Sequence, residues 1–550
     1  MVGGVTLASL VVLVSPTIPL GIPGEWTWAR RGFEGLDVPT CLLGLLLCAG
    51  YGGVVRWGEV SIRRRRGEPG SVEQQEWTAL TGRATEQPVE FVPTWGSRLR
   101  SEFRIAGLCL LAFIWFFGLL CLQPDIPGLG RSPTILYYKR TEGYFWQAAF
   151  DAQNTQQFLR SYRDSIASGD DPDRYLHLGT HPPGLTLMYR GLLSLFEGSP
   201  ELAGAVISLE PNSIREAFAA LRQFPTPKGQ LTLAEEATLW SATLLTLFAV
   251  AGACWPIYRL TARMSDAVTA WRAAALWPLV PSLLVFFPKS DLFCPVIATM
   301  SCWLWLDGWS RLRWGRCVLA GVGFFCGLML TLALAPIALL LVVQTILERW
   351  TRRQEFSRRS PSSDVGCVLA AVAGFGIPLG TLAYWGQCNP LAIWMQNLEN
   401  HGMFYDHNTR SYLGWLVVNL FEAAFALGLP IACLGLVGAA HVVQGHRSRH
   451  IAISQFLAWF GVWAILWLSG KNMGEAARLW IFIAPWPVMT AAMALSPKRD
   501  ANEESSSLAV ESSGLEGFNV WGVLLALQLL ACVWTMSCLD GFHMRELMPP

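Results

Sequence analysis

Charge is what this chain has least of. Of its 550 residues only 15% are charged and 52% are hydrophobic, with a mean hydropathy of +0.36. A soluble domain carries about 25% charged residues, so a deficit spread along the whole length excludes one aqueous domain and sets apolar surface against lipid. The net charge of +1 leaves no global field and excludes nucleic acid as a partner read from charge. No CxxC pair and no Cys/His cluster with zinc spacing occurs. The 14 cysteines fall mostly inside apolar runs, as at Cys41, Cys48, Cys109, Cys326 and Cys433, and read as small apolar side chains. The N-terminus has no basic stretch before its apolar run and no clear small-residue cleavage site, so it reads as a retained span. No internal repeat of fixed period is present.

What the chain has instead is tryptophan, 26 of them, a residue that collects at headgroup level. It also has apolar runs. A spanning helix needs roughly 20 apolar residues to cross a core about 30 Å thick. Such runs lie near 5–23, 38–56, 103–123, 236–258, 268–287, 291–308, 365–384, 413–443, 451–469, 477–496 and 517–537. The stretch 317–347 is too long for one simple span and contains Pro336, which predicts two short helices meeting at a break.

Basic residues set the orientation. They cluster at Arg63–Arg66, Arg98/Arg100/Arg104, Arg259/Arg263, Arg311/Arg313/Arg316, Arg349–Arg359, Arg447/Arg449 and Lys498/Arg499. All are cytoplasmic at once if 317–347 crosses twice and 184–197 lies along the interface. That gives about thirteen crossings, N-terminus inside and C-terminus outside, with Arg30 and Arg31 as a local exception. The remaining polar segments then share the outer face: 124–235, the Pro288–Asp291 turn, 385–412 and 470–478. Residues 198–235 read as a helical surface segment, and 499–516, rich in Ser and Glu, as a flexible linker.

Chemistry concentrates in those outer segments. Glu142, beside Tyr144 and Trp146, and Asp151 are carboxylates just beyond a span, where one could serve as general base for a hydroxyl or simply be a solvated loop charge. In His181-Pro182-Pro183-Gly184 two prolines stiffen the backbone and fix the direction of the imidazole. Lys289 and Asp291 form either a local ion pair or part of a cleft. The turn 470–480 carries Lys471, Glu475 and Arg478 at the start of an apolar run; Arg478 could bind phosphate, or pair with Glu475 at i, i+3 to steady the helix end. His401, Tyr405, Asp406, His407 and Arg410 sit in what reads as a polar loop, with no spacing that fits a metal template. Glu422, inside an apolar run, faces a cavity or a partner.

With these residues the chain resembles GT-C superfamily integral membrane glycosyltransferases, bacterial relatives of the dolichyl-phosphate-mannose mannosyltransferases. The features are the acidic first outer loop (Glu142, Asp151), His181-Pro182-Pro183-Gly184, Pro288-Lys289-Ser290-Asp291, and Gly474-Glu475-Ala476-Ala477-Arg478-Leu479-Trp480 running to Pro485-Trp486. The likeness covers most of 100–497. It departs from the family where Glu142 is followed by Gly143 rather than a second acid, and in two extra spans before the loop.

The resemblance implies an all-α polytopic membrane protein of about 11–13 transmembrane helices, with a GT-C-like core and a large first extracytoplasmic loop. Two helices and a basic loop make up 1–102, the catalytic core 103–497, and a linker with the last helix 498–550. It further implies a polyprenyl-phosphate sugar donor, inverting transfer to an acceptor hydroxyl on the outer face of a bacterial cell membrane, and a carboxylate base. In that scheme Glu142 or Asp151 removes the proton, Arg478 and Lys471 meet the donor phosphate, and His181, Lys289, Asp291 and Glu475 line the substrate. Some relatives use a divalent cation; these residues assign none. The competing readings are a transporter or flippase for a lipid-linked sugar or small solute, and an inactive scaffold of the same fold.

Overall fold

The computed structural model describes residues 2–31, 37–66, 95–122, 128–167, 178–223, 230–357, 359–444, 450–496 and 507–542. His177, Arg447, Arg449, Lys498 and Arg499, and the first part of the expected linker, lie outside these residues. The architecture is helical, with strand confined to two short antiparallel pairs among the described residues. Helix is what lipid demands, since a backbone without water must satisfy its own N–H and C=O groups.

Among the described residues nine helices are long and apolar enough to cross a membrane, and a tenth span arises if one bent pair is counted. They are Val38–Arg64, Leu99–Leu122, Leu233–Met264, Ala267–Val285, Ser290–Ser310, Leu332–Thr351, Pro361–Gly386, His450–Leu468 and Val520–Cys538. Of the expected apolar stretches, four are not single straight spans. The run at 5–23 is helical only over Val2–Val14, about 20 Å at 1.5 Å per residue and short of a full crossing. Its chain then turns back in a hairpin that pairs Gly21 with Thr27. The run 477–496 divides into Ala476–Leu479 and Pro485–Met493, the proline opening the second piece at a position that needs no N–H. The stretch 317–347 breaks as expected, with a 3₁₀ turn at Leu332–Leu334 between the helices Trp314–Leu330 and Pro336–Thr351.

The fourth, 413–443, is not one helix. Tyr412–Leu427 and Leu429–Gln444 meet at 106°. Gly428 makes the corner at φ 83°, and a side chain there would strike the Gln528 amide. Gln528 satisfies the groups the break frees: its amide donates to Leu427 O at 2.9 Å and to Leu279 O at 2.8 Å, and accepts from Ile431 N–H at 3.3 Å. A fully buried polar side chain is thus the condition for a kink at membrane depth.

The core is the segment Ala267–Val285, enclosed by protein over its whole spanning length. Its bends leave carbonyls that Tyr51 O–H and Trp115 Nε1–H take, at Ala275 (2.7 Å) and Pro278 (3.1 Å). The helix Gly184–Gly198 packs against Leu233–Gly252. Residues 385–412, read as a polar loop, instead contain the helix Pro390–His407, capped by Asn389 on Ala392 N–H at 3.1 Å. The expected linker at 499–516 is likewise helical from Ser507 onward, as the start of Ser507–Cys538.

The charged groups sort to two ends. Ser290–Ser310 spans roughly 30 Å at helical rise, with Asp291 at one end and Asp307, ringed by arginines, at the other. The first end also holds the second strand pair, Ala29–Arg30 against Leu539–Asp540, which joins the two ends of the chain.

Candidate active site at one end of the helix bundle

Three segments far apart in sequence converge at that end. The first leaves the helix Arg131–Tyr137, turns through Gly143 at φ 82°, and enters Tyr144–Trp146 and a single π-helical turn, Gln147–Asp151. Such turns are rare and recur at functional sites. The second is the Lys289–Asp291 turn at the head of the Ser290–Ser310 span. The third is the loop 470–478, in which Gly470, Gly474 and Glu475 all have positive φ. Glu475, at φ 55°, is a non-glycine residue in the left-handed region, a local cost that the surroundings must hold in place.

Hydrogen bonds and ion pairs tie the three together. Glu142, 1% exposed, accepts Ser290 N–H at 2.6 Å and faces Tyr189 O–H at 3.5 Å. Lys289, also buried, donates to Thr141 O. Arg478 Nε lies 3.5 Å from Asp291 Oδ2, and its Nη2 donates to Glu475 at 2.8 Å. The i, i+3 pair expected of Arg478 is therefore present, together with a second ion pair that crosses to another turn. Burial pushes the Glu142 carboxyl above the usual range, with Lys289 and Ser290 N–H working against it. Burial, and then Arg478, brings Lys289 down to about 8. The Tyr144 ring stands between this cluster and His181, 5.8 Å from the imidazole and edge-on. Burial raises its phenol, and Glu142 and Asp291 add to that.

The third loop is built from behind. Glu422, flagged as a carboxylate inside a span, accepts Ala476 N–H at 2.8 Å and Trp28 Nε1–H at 2.9 Å. Asn419, one turn earlier, donates to Asn472 O at 2.7 Å and accepts Gly474 N–H at 3.3 Å. Glu422 also lies in the wall of an apolar cavity of about 490 Å³, bounded by Leu13, Trp28, Val285, Phe425 and Leu539.

His181 bonds Thr180 Oγ1 through Nδ1 at 3.1 Å, and its carbonyl accepts from Tyr162 O–H and Asn397 Nδ2. Asn397 and Asn400 both hold Gly179 O, so the Pro390–His407 helix fixes this stretch. Gly184 has a packing reason: a side chain there would strike the Met329 carbonyl. Asp151 is exposed at the end of the π turn. Lys471 is exposed as well, and its carbonyl accepts Tyr405 O–H at 2.6 Å. Sequence reading did not mark Thr141, Tyr189, Asn397, Asn400 or Asn419: Tyr189 reaches the Glu142 carboxylate, and the others act through backbone groups that meet their partners only after folding. Among the described residues no group of three or more His, Cys, Asp or Glu is placed to hold a metal ion.

No family model matches the sequence, and no curated protein matches it. Among solved structures it is similar to the archaeal oligosaccharyltransferase AglB from Archaeoglobus fulgidus, determined in complex with an inhibitory peptide and a dolichol-phosphate. The TM-score is 0.41 at 13% identity, covering 83% of this chain and 59% of that one. It is also similar to an Archaeoglobus fulgidus oligosaccharyltransferase in the apo form, with TM-score 0.38 at 14% identity, over 78% and 57% of the two chains. Both are distant likenesses, in which this chain spans less than two thirds of the neighbour's length.

Proposed function

We propose that this chain is a membrane glycosyltransferase using a polyprenyl-phosphate sugar donor, working at the end of the bundle where Glu142, Lys289, Asp291 and Arg478 meet. The observation that carries the reading is the Arg478 bridge: one guanidinium spans Asp291 and Glu475 at a turn whose backbone is anchored by a residue of an apolar cavity. A donor with a hydrocarbon tail and a phosphate head fits that pairing. The tail lies in the cavity beside Glu422, and the phosphate takes Arg478, with Lys471 nearer the water.

The steps follow from charge. When the phosphate draws Arg478 away, the Asp291 carboxylate is left free to accept a hydrogen bond from an entering hydroxyl. Asp291, 17% exposed at its side chain, is the carboxylate an entering hydroxyl meets. It takes the hydroxyl proton as the oxygen attacks the anomeric carbon, and the sugar–phosphate bond breaks with its electrons staying on the polyprenyl phosphate. Arg478 offsets the charge that develops there. Glu142, covered by protein, positions the turn carrying Asp291 through Ser290 N–H, and Lys289 holds Thr141 in the same way. His181 and Tyr144 border the acceptor side, and Asp151 stands at its rim. The described residues do not form a metal set, so no step runs through one.

The test is transfer by the purified chain in proteoliposomes supplied with a labelled polyprenyl-phosphate hexose, reading release of polyprenyl phosphate. Asp291→Asn should lower the rate by about 10²-fold or more, the range for losing a general base. Full activity in that variant would overturn the reading.

A further inference from the structure

At the opposite end of the bundle the described arginines outnumber the carboxylates they meet. Asp307, at the end of the helix Cys294–Ser310, takes three: Arg316, Arg311 at 3.2 Å and Arg313 at 3.9 Å. Asp364 takes two, Arg349 and, at 2.7 Å, Arg359. Trp309 joins the groups, donating to Asp364 at 3.1 Å beneath the Arg359 guanidinium. A third carboxylate, Glu348, is already engaged by Arg263 at 3.1 Å. Five arginines on two carboxylates leave three positive charges. Internal pairing accounts for only part of this cluster, and Arg311, Arg313 and Arg349 are each close to half exposed.

The surroundings say what meets them. Trp314 and Trp350 flank the patch with 59% and 70% of their surface exposed, the position of rings at a lipid headgroup layer. Immediately toward the bundle centre the same helices expose Leu319, Ile346, Val365 and Leu369. A soluble polyanion would match the charges and leave this apolar band without a use. A phospholipid matches both, head on the guanidinium groups and chains on the band.

We propose that this patch is a binding site for the phosphate headgroup of an anionic glycerophospholipid, in the leaflet opposite the Glu142 cluster. Three uncompensated guanidinium groups favour a lipid with net negative charge over a zwitterionic one, whose own cation would face them. The site is independent of the proposed transfer chemistry and of which leaflet is cytoplasmic.

The experiment is native mass spectrometry of the full chain released from phosphatidylcholine nanodiscs, titrated in parallel with phosphatidylglycerol, further phosphatidylcholine, or inorganic phosphate. Phosphatidylglycerol should be retained, less so as salt rises, since exposed ion pairs are screened. Arg311→Gln/Arg313→Gln/Arg316→Gln should cut that retention at least on the order of tenfold. The single variant Arg349→Gln, which leaves Asp307 and its partners intact, should cut it by a smaller factor. Equal retention of phosphatidylcholine, retention indifferent to salt, retention unchanged in both variants, or displacement by millimolar inorganic phosphate would each overturn the proposal.

Discussion

Glu142 and Ser290 stand 148 positions apart in the chain, yet the nearly inaccessible carboxylate of one accepts the partly buried backbone N–H of the other at 2.6 Å. A backbone donor withdrawn from water needs its partner. Glu142→Gln keeps an acceptor oxygen for Ser290 N–H and should fold and retain transfer; Glu142→Ala leaves that donor unpaired and should lose transfer and about 1–3 kcal/mol of stability. Melting curves beside transfer rates separate the two, and equal melting of both variants would contradict the positioning role.

Arg478 holds two carboxylates apart. Removing it in Arg478→Ala should raise the donor KM on the order of tenfold, the scale of charge-assisted hydrogen bonds to phosphate. Arg478→Lys should recover only part of this, because an ammonium cannot bridge Asp291 and Glu475 in one plane. Donor kinetics unchanged in both would argue against a phosphate role.

Lys289 gives a pH signature. Its folded value, about 8, lies below the ordinary 10.5, so folding disfavours the charged form. Between those values the unfolded chain carries the proton and the folded one does not, and stability must rise with pH. The melting temperature should therefore climb from pH 8 toward 10, and Lys289→Gln should flatten that climb. A wild-type curve that falls through this window would refute the burial of the charge.

Gly428 has no room for a side chain and an unfavourable φ for one. Gly428→Ala should cost about 1–3 kcal/mol or more through strain and displacement of Gln528, read as a lower melting point and poorer recovery from the membrane. Gln528→Leu, which strips Leu427 and Ile431 of partners, should do comparable damage.

Sidedness is open to a direct measurement. In a background with native cysteines replaced, Lys139→Cys and Lys471→Cys should react with an impermeant thiol reagent from one side, and Arg353→Cys only from the other. All three positions are exposed. Labelling of Lys139→Cys and Arg353→Cys from the same side would end the proposed arrangement.

Much of the bundle was legible because lipid-facing helices must be apolar for their full length. Pro336 announced its break by lacking an N–H, and Glu422 announced a buried partner by its charge. The corner at Gly428 gave no such notice: glycine inside an apolar run reads as one more small residue, and the amide that makes the corner tolerable lies a hundred residues on. Pro390–His407 failed in the other direction. Its His, Asn and Asp residues look like a loop because composition reports polarity, while Asn397 and Asn400 are polar for the sake of carbonyls at Gly179, Ile166 and His181. Of the site, the charged members were visible one by one. That Glu142 would be sealed in and Asp291 left near the surface depended on how three turns pack, which no single stretch records.

The seam between Ala29–Arg30 and Leu539–Asp540 has a consequence for synthesis. The second of its strands follows the first by the whole length of the helix bundle, so the pairing cannot form until that bundle has been synthesised. Phe542, just past the seam, lies against Arg131 and Lys289. A chain halted before the helix Ser507–Cys538 would hold all of the charged cluster and lack Phe542, so the covering of Arg131 and Lys289 depends on a segment made after every charged member of that cluster.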